Sequence, residues 1–474
     1  MVDLWFDLLD IPTNLTLLVG LVLAVCATLH ILLSKREVAS AVGWIGLVWF
    51  APFLGALIYL VFGVNRVKRR ARLARLPGES SENRSPDASP EVASDLAPLG
   101  RGIGRITAAP LKGGTRVELY RDGDEAYPPM LAAIAAASRS VGMSSYILRD
   151  DCCGGRFIDA LADATRRGVA VRVLIDGIGG GWLFSRAHHR LRREGVRSAR
   201  FMHSPLPWRM PFLNLRCHRK ILVADGSVGF TGGLNIADEN VLAMRPRHPV
   251  RDLHFRIEGP VVGQLVATFA QDWQFATGED LGGDAWFPDI PERAGALARA
   301  IVSGPDESLE KVEFAVLQAV SCARTSIGVM TPYFLPDERL ITALSLAAMR
   351  GVSVDIVVPG RSDHFYMDWA VRANAAPLLS AGVRVWQSPP PFHHAKLMVV
   401  DGEWSLIGSC NWDIRSFRLN FELCMEVYDR GLAAALIAVM RESRGPGLAQ
   451  AALAVRSLPV RLRDAAARLL LPYL

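Results

Sequence analysis

The chain has 474 residues, half of them hydrophobic, and its 53 Lys+Arg against 47 Asp+Glu leave a formal charge of +6. That length suits two or three units with buried cores, and so mild a basic excess selects neither nucleic acid nor anionic lipid by itself. Seven cysteines (Cys26, Cys152, Cys153, Cys217, Cys322, Cys410 and Cys424) without a CxxC pair or metal-ligand spacing argue against a disulfide scaffold and fit free thiols in a reducing compartment.

From Leu15 to Leu33 the sequence is almost continuously apolar, close to the roughly 20 residues a helix needs to cross the hydrocarbon. A cleaved signal peptide would have a basic flank, but this one carries Asp3, Asp7 and Asp10. A second run, Val42 to Val64, is apolar throughout, with Trp44, Trp49 and Tyr59 as candidates for interfacial positions and Pro52 and Gly55 as candidate kinks. Residues 1–70 are therefore expected to form a two-helix transmembrane hairpin. Arg66, Lys68, Arg69, Arg70, Arg72 and Arg75 crowd its exit, whereas the loop between the runs holds only Lys35 and Arg36. This asymmetry predicts a multi-pass membrane protein with its body and both termini in the cytoplasm. The cluster serves topology alone or also meets anionic head groups.

Residues 71–105 comprise this basic exit and a linker; Pro77 to Pro98 is rich in Ser, Pro, Glu and Asp and too poor in large apolar residues to form a core. Beyond it the chain repeats itself. Ser145-Tyr146-Ile147-Leu148-Arg149-Asp150 leads to ATRRGVAVRVLIDG, and Pro332-Tyr333-Phe334-Leu335-Pro336-Asp337 leads to AAMRGVSVDIVVPG. Each reads as a helix closed by Gly and followed by a strand covered on both faces. Two α/β halves are predicted, residues 106–295 and 296–474, related by a pseudo-two-fold with a site between them.

Each half then delivers one polar signature: HRKILVADGSVGFTGGLN, with His218, Lys220, Asp225, Gly232, Gly233 and Asn235, and HAKLMVVDGEWSLIGSCN, with His394, Lys396, Asp401, Gly408, Ser409 and Asn411. Side chains two apart on a strand share a face, so each His and Lys project into one cleft. Asp225 and Asp401 complete the motif and count with the candidate catalytic set, although a position before Gly at a strand end suits bracing the turn. The Gly-Gly and Gly-Ser pairs permit close backbone approach, and Asn235 and Asn411 can donate to a bound oxyanion, with Ser409, Gly232 and Gly408 supporting.

These duplicated motifs resemble the phospholipase D superfamily over roughly residues 126–428. PFLGALIYLVFG, GGLNIADEN, RDLHFRIEGP and GSCNWDIRSFRLNFE resemble the bacterial cardiolipin synthases more narrowly, with Cys217 standing where family members often carry Asn. The resemblance implies two phospholipase D-like sandwich repeats and an enzyme that transfers a phosphatidyl group through a phosphohistidine. His218 would be the nucleophile and His394 the general acid, with Lys220, Lys396, Asn235 and Asn411 on the nonbridging oxygens. Asp252 and Glu422 stand at family positions that orient a histidine ring. It implies no metal and no cofactor, and as partners phosphatidylglycerol as donor and a second phospholipid as acceptor, without nucleic acid. A lipid hydrolase, another phosphatidyltransferase and a catalytically silent lipid-binding scaffold are the alternatives. Oligomeric state is not read from the sequence. The segment with Leu206, Trp208, Met210 and Phe212 either dips into the bilayer or covers the core, and the tail with Arg456, Arg461, Arg463 and Arg468 either lies on the membrane or packs on the body.

Overall fold

The Val/Ile-rich segments of the repeat become interior strands of one sheet in a computed structural model of the chain, which describes residues 3–35, 38–63, 90–203, 215–291, 294–305, 308 and 310–470. The chain divides into Met1–Arg70 and Ala71–Leu474.

In the first unit, α1 (Asp3–Ser34) contains Asn14–Ser34, a stretch long and apolar enough to cross a membrane. The second apolar run differs from the expected single span. α2 (Val38–Phe50) stops at Ala51, with φ −140° and ψ 75°, and α3 (Pro52–Ile58) restarts with proline in its first turn. Proline has no N–H with which to continue the helical ladder. Gly55 then passes so close to α2 that an added Cβ would lie 2.5 Å from the Leu47 carbonyl oxygen. The result is two shorter apolar helices, Ser40–Phe50 and Pro52–Val61. They are tied to α1 by Trp49 Nε1 donating to Thr28 Oγ1 (3.0 Å) and by the Tyr59 hydroxyl 2.7 Å from His30 Nδ1. The predicted basic exit and the linker up to residue 89 lie outside the described residues, as do Arg36 and the segment holding Trp208; the end of the expected linker is instead structured, with Ala97–Thr107 a helix whose Leu99 and Ile103, one turn apart, are buried in the core beside Val316 and Val320.

In the second unit the first half supplies β1 (Lys112–Arg121), β2 (Ser140–Ser145), β3 (Ala170–Asp176), β4 (Arg197–Phe201), β5 (Ile221–Ala224), β6 (Val228–Gly232), β7 (Val250–Arg251) and β8 (Leu253–Glu258). The second half supplies β9 (Ala296–Ser303), β10 (Ser326–Met330), β11 (Phe334–Leu335), β12 (Ser353–Pro359), β13 (Arg384–Ser388), β14 (Phe392–His393), β15 (Leu397–Val400), β16 (Trp404–Gly408), β17 (Trp412–Asp413) and β18 (Glu422–Tyr428). One sheet takes the order β13-β12-β10-β15-β16-β18-β9-β1-β8-β6-β5-β2-β3-β4. The order reads alike from either end, which puts the pseudo-two-fold at the antiparallel β1–β9 seam. Within each half the outer strands are parallel, β2-β3-β4 and β10-β12-β13.

Parallel neighbours need a crossover helix. Cys152–Arg166 and Glu338–Met349 provide it, each opened by an aspartate, Asp151 and Asp337, whose carboxylate accepts a first-turn N–H from Gly154 and Leu340. Such a cap is worth about 1 kcal/mol. Phe157, Ile158 and Leu161 from the first helix and Leu340 and Leu344 from the second are fully buried against the strands, each stabilising the fold by roughly 1.5–3 kcal/mol. The C-terminal helix Leu458–Leu470 packs on Phe365–Ser380, with the Arg463 guanidinium 4.2 Å from the Trp369 ring centre, so the tail lies against the body.

Candidate active site

β5 and β15 each begin just after a His-x-Lys and end in an Asp-Gly turn. Asp225 and Gly226 have φ of 51° and 66°, Asp401 and Gly402 51° and 65°, the paired positive values that suit Asp-Gly in a tight hairpin turn. At that far end of the strand Asp225 accepts the backbone N–H groups of Ser138, Arg139 and Ser140, and Asp401 those of Arg324, Thr325 and Ser326. Burial alone would raise both carboxyls, but these donors hold each below the usual value of 3.8. Both aspartates fasten the turn to the start of β2 or β10, at the opposite end of the strand from the histidines.

At the near end the halves interlock. β7 pairs with β14, so the His394 N–H donates to the Arg251 carbonyl (2.6 Å), and the next residue, Asp252, puts Oδ2 2.8 Å from His394 Nδ1. Cys217 bridges to Phe421, so the His218 N–H donates to the Phe421 carbonyl (2.9 Å) and Glu422 Oε1 stands 3.2 Å from His218 Nδ1. Each histidine is thus held by the carboxylate of the other half. Both carboxylates are fully buried, whereas each imidazole keeps 18% of its side chain exposed. A carboxylate at Nδ1 favours hydrogen on that nitrogen and leaves the Nε2 lone pair for chemistry.

The lysines are buried beneath the rings. Lys220 Nζ donates to the His218 carbonyl (2.8 Å), and Lys396 Nζ to the His394 carbonyl while lying 2.8 Å from His394 Nδ1. Burial draws the Lys396 ammonium from 10.5 down to about 7 and lowers Lys220 as well. Burial also lowers His218, and burial reinforced by Lys396 takes His394 to about 4. For Asp252, burial is outweighed by Lys396 and His394, which pull it to about 2. An anion arriving between the rings supplies negative charge that favours every one of these cations.

Gly233 packs against Asp252, where an added Cβ would lie 2.2 Å from Oδ1, while Ser409 at the matching position donates its hydroxyl to Glu422 Oε2 (2.5 Å). Ser409 therefore supports the carboxylate. At Gly232 and Gly408 a Cβ would meet the Leu253 and Leu423 carbonyl oxygens at 2.6 and 2.3 Å. The amide oxygens of Asn235 and Asn411 are buried with no hydrogen-bond partner, a state that costs about 1–3 kcal/mol and leaves both amides uncommitted.

Three contributors escaped the sequence reading. Tyr146 sets its ring edge-on to His218 (4.3 Å between centres), and Tyr333 stands edge-on to His394 at 6.4 Å. Their matching places in the repeat were the available signal. Arg219, between His218 and Lys220, points into the protein, pairs with Asp272 (2.5 Å), and donates to the carbonyls of Glu422 (3.2 Å) and Ser303 (3.1 Å) in the other half. Its counterpart is Ala395, so only the three-dimensional arrangement reveals it.

A sheet doubled about a pseudo-two-fold, with a His-Lys pair from each half held against the other half, defines a phospholipase D-like protein. The family model for the cardiolipin synthase PLD-like domain matches residues 130–273 and 316–443, and that for the phospholipase D-nuclease N-terminal region matches 22–63. The chain is 34% identical over 434 residues to cardiolipin synthase A of Pseudomonas aeruginosa, covering 90% of this chain and 88% of that one. It is 35% identical over 410 residues to cardiolipin synthase of Geobacillus kaustophilus (84% and 82% covered) and 31% over 467 residues to that of Staphylococcus aureus (94% and 93%). Among solved structures, phosphatidylserine synthase of Haemophilus influenzae superposes with a TM-score of 0.60 at 14% identity, over 79% of this chain and 99% of that one, a likeness of fold. The chain belongs to the cardiolipin synthase family of the phospholipase D superfamily.

Proposed function

We propose that this enzyme is a phosphatidyltransferase that makes cardiolipin from phosphatidylglycerol and a second phospholipid bearing a free hydroxyl. The observation that carries the reading is the pair of partly exposed imidazoles, each with Nδ1 on a buried carboxylate of the opposite half. One neutral ring attacks phosphorus while the other, protonated, serves the leaving oxygen.

In the first step His218 Nε2 forms a bond to phosphorus, the bond from phosphorus to the glycerol oxygen breaks, and His394 gives that oxygen its proton. In the second step the acceptor hydroxyl gives its proton to His394 and its oxygen bonds to phosphorus as the N–P bond breaks. Lys220, Lys396 and the amides of Asn235 and Asn411 hold the nonbridging oxygens, where one preorganised donor contributes roughly 3–4 kcal/mol. In the free protein His394, drawn down to about 4, is neutral; the phosphodiester's own charge stabilises the imidazolium that the first step needs. The residues themselves provide nucleophile, proton donor and cations.

Two lipid substrates account for an apolar N-terminal unit. We place it in the inner membrane as a multi-pass anchor with the catalytic body cytoplasmic, on the strength of Asn14–Ser34, the apolar pair behind it and the basic residues that follow. The test incubates purified full-length protein with labelled phosphatidylglycerol and separates the products. Cardiolipin with free glycerol is the expected outcome; phosphatidic acid alone would make the protein a hydrolase, and no product would remove the enzymatic reading.

A further inference from the structure

The two halves differ in the loop that leaves the repeated strand. Counted from the glycine that follows each strand, Gly177 after β3 and Gly360 after β12, Gly179-Gly180-Gly181 in the first half stands against Ser362-Asp363-His364 in the second. In the first half this loop closes on the tyrosine beside the catalytic ring: a Cβ at Gly179 would lie 2.5 Å from the Tyr146 carbonyl oxygen and equally near its ring. In the second half the matching positions carry side chains.

Those side chains continue a wall of rings that begins at His394. Phe392 lies 5.9 Å and Tyr333 6.4 Å from the His394 ring, centre to centre, and the two are 6.2 Å from each other. His364 stacks on Tyr333 at 6.1 Å, and Tyr366 on His364 at 5.4 Å with the planes 15° apart. Beside this strip the Tyr333 hydroxyl donates to the Asp363 carboxylate, 2.8 Å from Oδ1 and 2.9 Å from Oδ2. The Ser362 hydroxyl donates to Oδ1 at 3.0 Å, and His364 Nε2 lies 3.8 Å from Oδ2. Burial and Asp363 raise the Tyr333 hydroxyl well above its usual 10, so it stays a donor and ties the carboxylate to the ring next to His394. A carboxylate offers about four acceptor positions. Two hydroxyls leave Asp363 spare capacity, and 45% of its side chain is exposed to whatever enters.

Aromatic faces receive the C–H groups of a polyol, and a carboxylate receives its hydroxyls in charge-assisted hydrogen bonds. In the proposed reaction His394 protonates the departing glycerol and later takes the proton of the acceptor hydroxyl, so both groups pass on its side. We infer that Tyr333, His364, Phe392 and the Asp363 carboxylate form a polyol subsite. It binds the leaving glycerol in the first step and the glycerol head group of the acceptor phospholipid in the second, with Asp363 accepting a hydroxyl that does not react. This rests on the proposed phosphatidyl transfer with His394 as acid and base. Water and monohydric alcohols bring no second hydroxyl to the carboxylate.

The experiment offers full-length protein in phosphatidylglycerol vesicles equal concentrations of labelled glycerol and labelled 1-propanol, which share a carbon skeleton and differ only in hydroxyls, and separates the two phosphatidyl products. Both form from one adduct. Their ratio is therefore independent of how much enzyme is folded and of how fast the adduct appears, and a merely structural role for Asp363 would not move it. Wild-type protein favours glycerol. Asp363→Ala lowers that preference by roughly tenfold or more, and Asp363→Asn, which keeps one acceptor oxygen, lowers it by less. A preference in Asp363→Ala within about threefold of wild type, or a wild type without preference, overturns the subsite and leaves cardiolipin formation standing. Wild-type protein that yields phosphatidic acid alone overturns the proposed transfer, and the subsite with it.

Discussion

Replacing Asp252 with Asn tests the crosswise pairing directly, because Asp252 belongs to the half that carries His218 yet touches His394. The carboxylate is fully buried and also accepts the Leu253 N–H at 2.7 Å, a bond the amide oxygen of Asn can keep. What is lost is the negative charge beside the imidazolium. With charge centres about 4 Å apart and an effective dielectric near 20, that charge is worth about 4 kcal/mol, or roughly three pKa units. His394 already sits at about 4 with Asp252 in place, so the variant loses most of its acid form, and cardiolipin formation from phosphatidylglycerol should fall about a thousandfold. An activated donor with a nitrophenolate leaving group needs no proton from the enzyme. In rapid-quench experiments with it, Asp252→Asn should form the covalent adduct within about tenfold of the wild-type rate, as His394→Ala should, while His218→Ala forms none. If Asp252→Asn instead blocks the adduct as His218→Ala does, the carboxylate serves the histidine of its own half and the crosswise assignment fails.

With phosphatidylglycerol, His218→Ala and His394→Ala should each abolish transfer in folded protein; mass spectrometry of the quenched wild-type adduct should find phosphorus on the peptide holding His218, and a label on the His394 peptide reverses the two roles. The Lys396 ammonium, drawn down from 10.5 to about 7 by burial, is present below that pH and lost above it. Accordingly, kcat/KM, which already falls above the His394 value of about 4, should fall more steeply as pH rises through about 7, and Lys396→Arg, whose charge persists, should remove the steeper limb even at a lower rate. Asp225→Ala should leave adduct formation with the activated donor largely intact but lower thermal stability, by about 2–4 kcal/mol for its lost N–H acceptors. Because hydrogen bonds hold that carboxyl below 3.8, the wild-type contribution is fully present above about pH 4 and disappears as pH falls through the folded value, so melting curves of variant and wild type should converge in acid.

Much of the catalytic unit is written in local pattern. Val/Ile-rich strands after Gly-closed helices, the Asp-Gly turns and the His-x-Lys spacing all depend on neighbours within a few residues, although His218 with Lys220 and His394 with Lys396 stand just ahead of β5 and β15, not within them as strand alternation would have it. Only the family resemblance marks Glu422 and Asp252 as ring-orienting residues, and which ring each one holds depends on β7 meeting β14 and on Cys217 meeting Phe421, pairings between distant segments that no local period encodes. Arg219 was hidden for the same reason: in a strand it reads as one more basic residue, and only the approach of the Ser303 and Glu422 carbonyls gives it a buried partner set. In the N-terminal unit, apolarity marked the second run while Pro52 and Gly55 decided its shape. Hydropathy averages over the residues that break a helix.

The exchange of carboxylates between halves also bears on descent. A single half carries a histidine, a lysine and a carboxylate, yet its carboxylate is bonded to the histidine of the other half, so a half-length chain with this geometry would complete a ring pair by associating with an identical copy. In such a homodimer both rings would be equivalent, and either could take phosphorus. Two halves joined in one polypeptide are free to differ, and at matched positions these do: Ser409 against Gly233, Arg219 against Ala395, Arg415 against Glu239. A gene cut between Gly278 and Ala296, expressed as two fragments, should regain activity only when both are present.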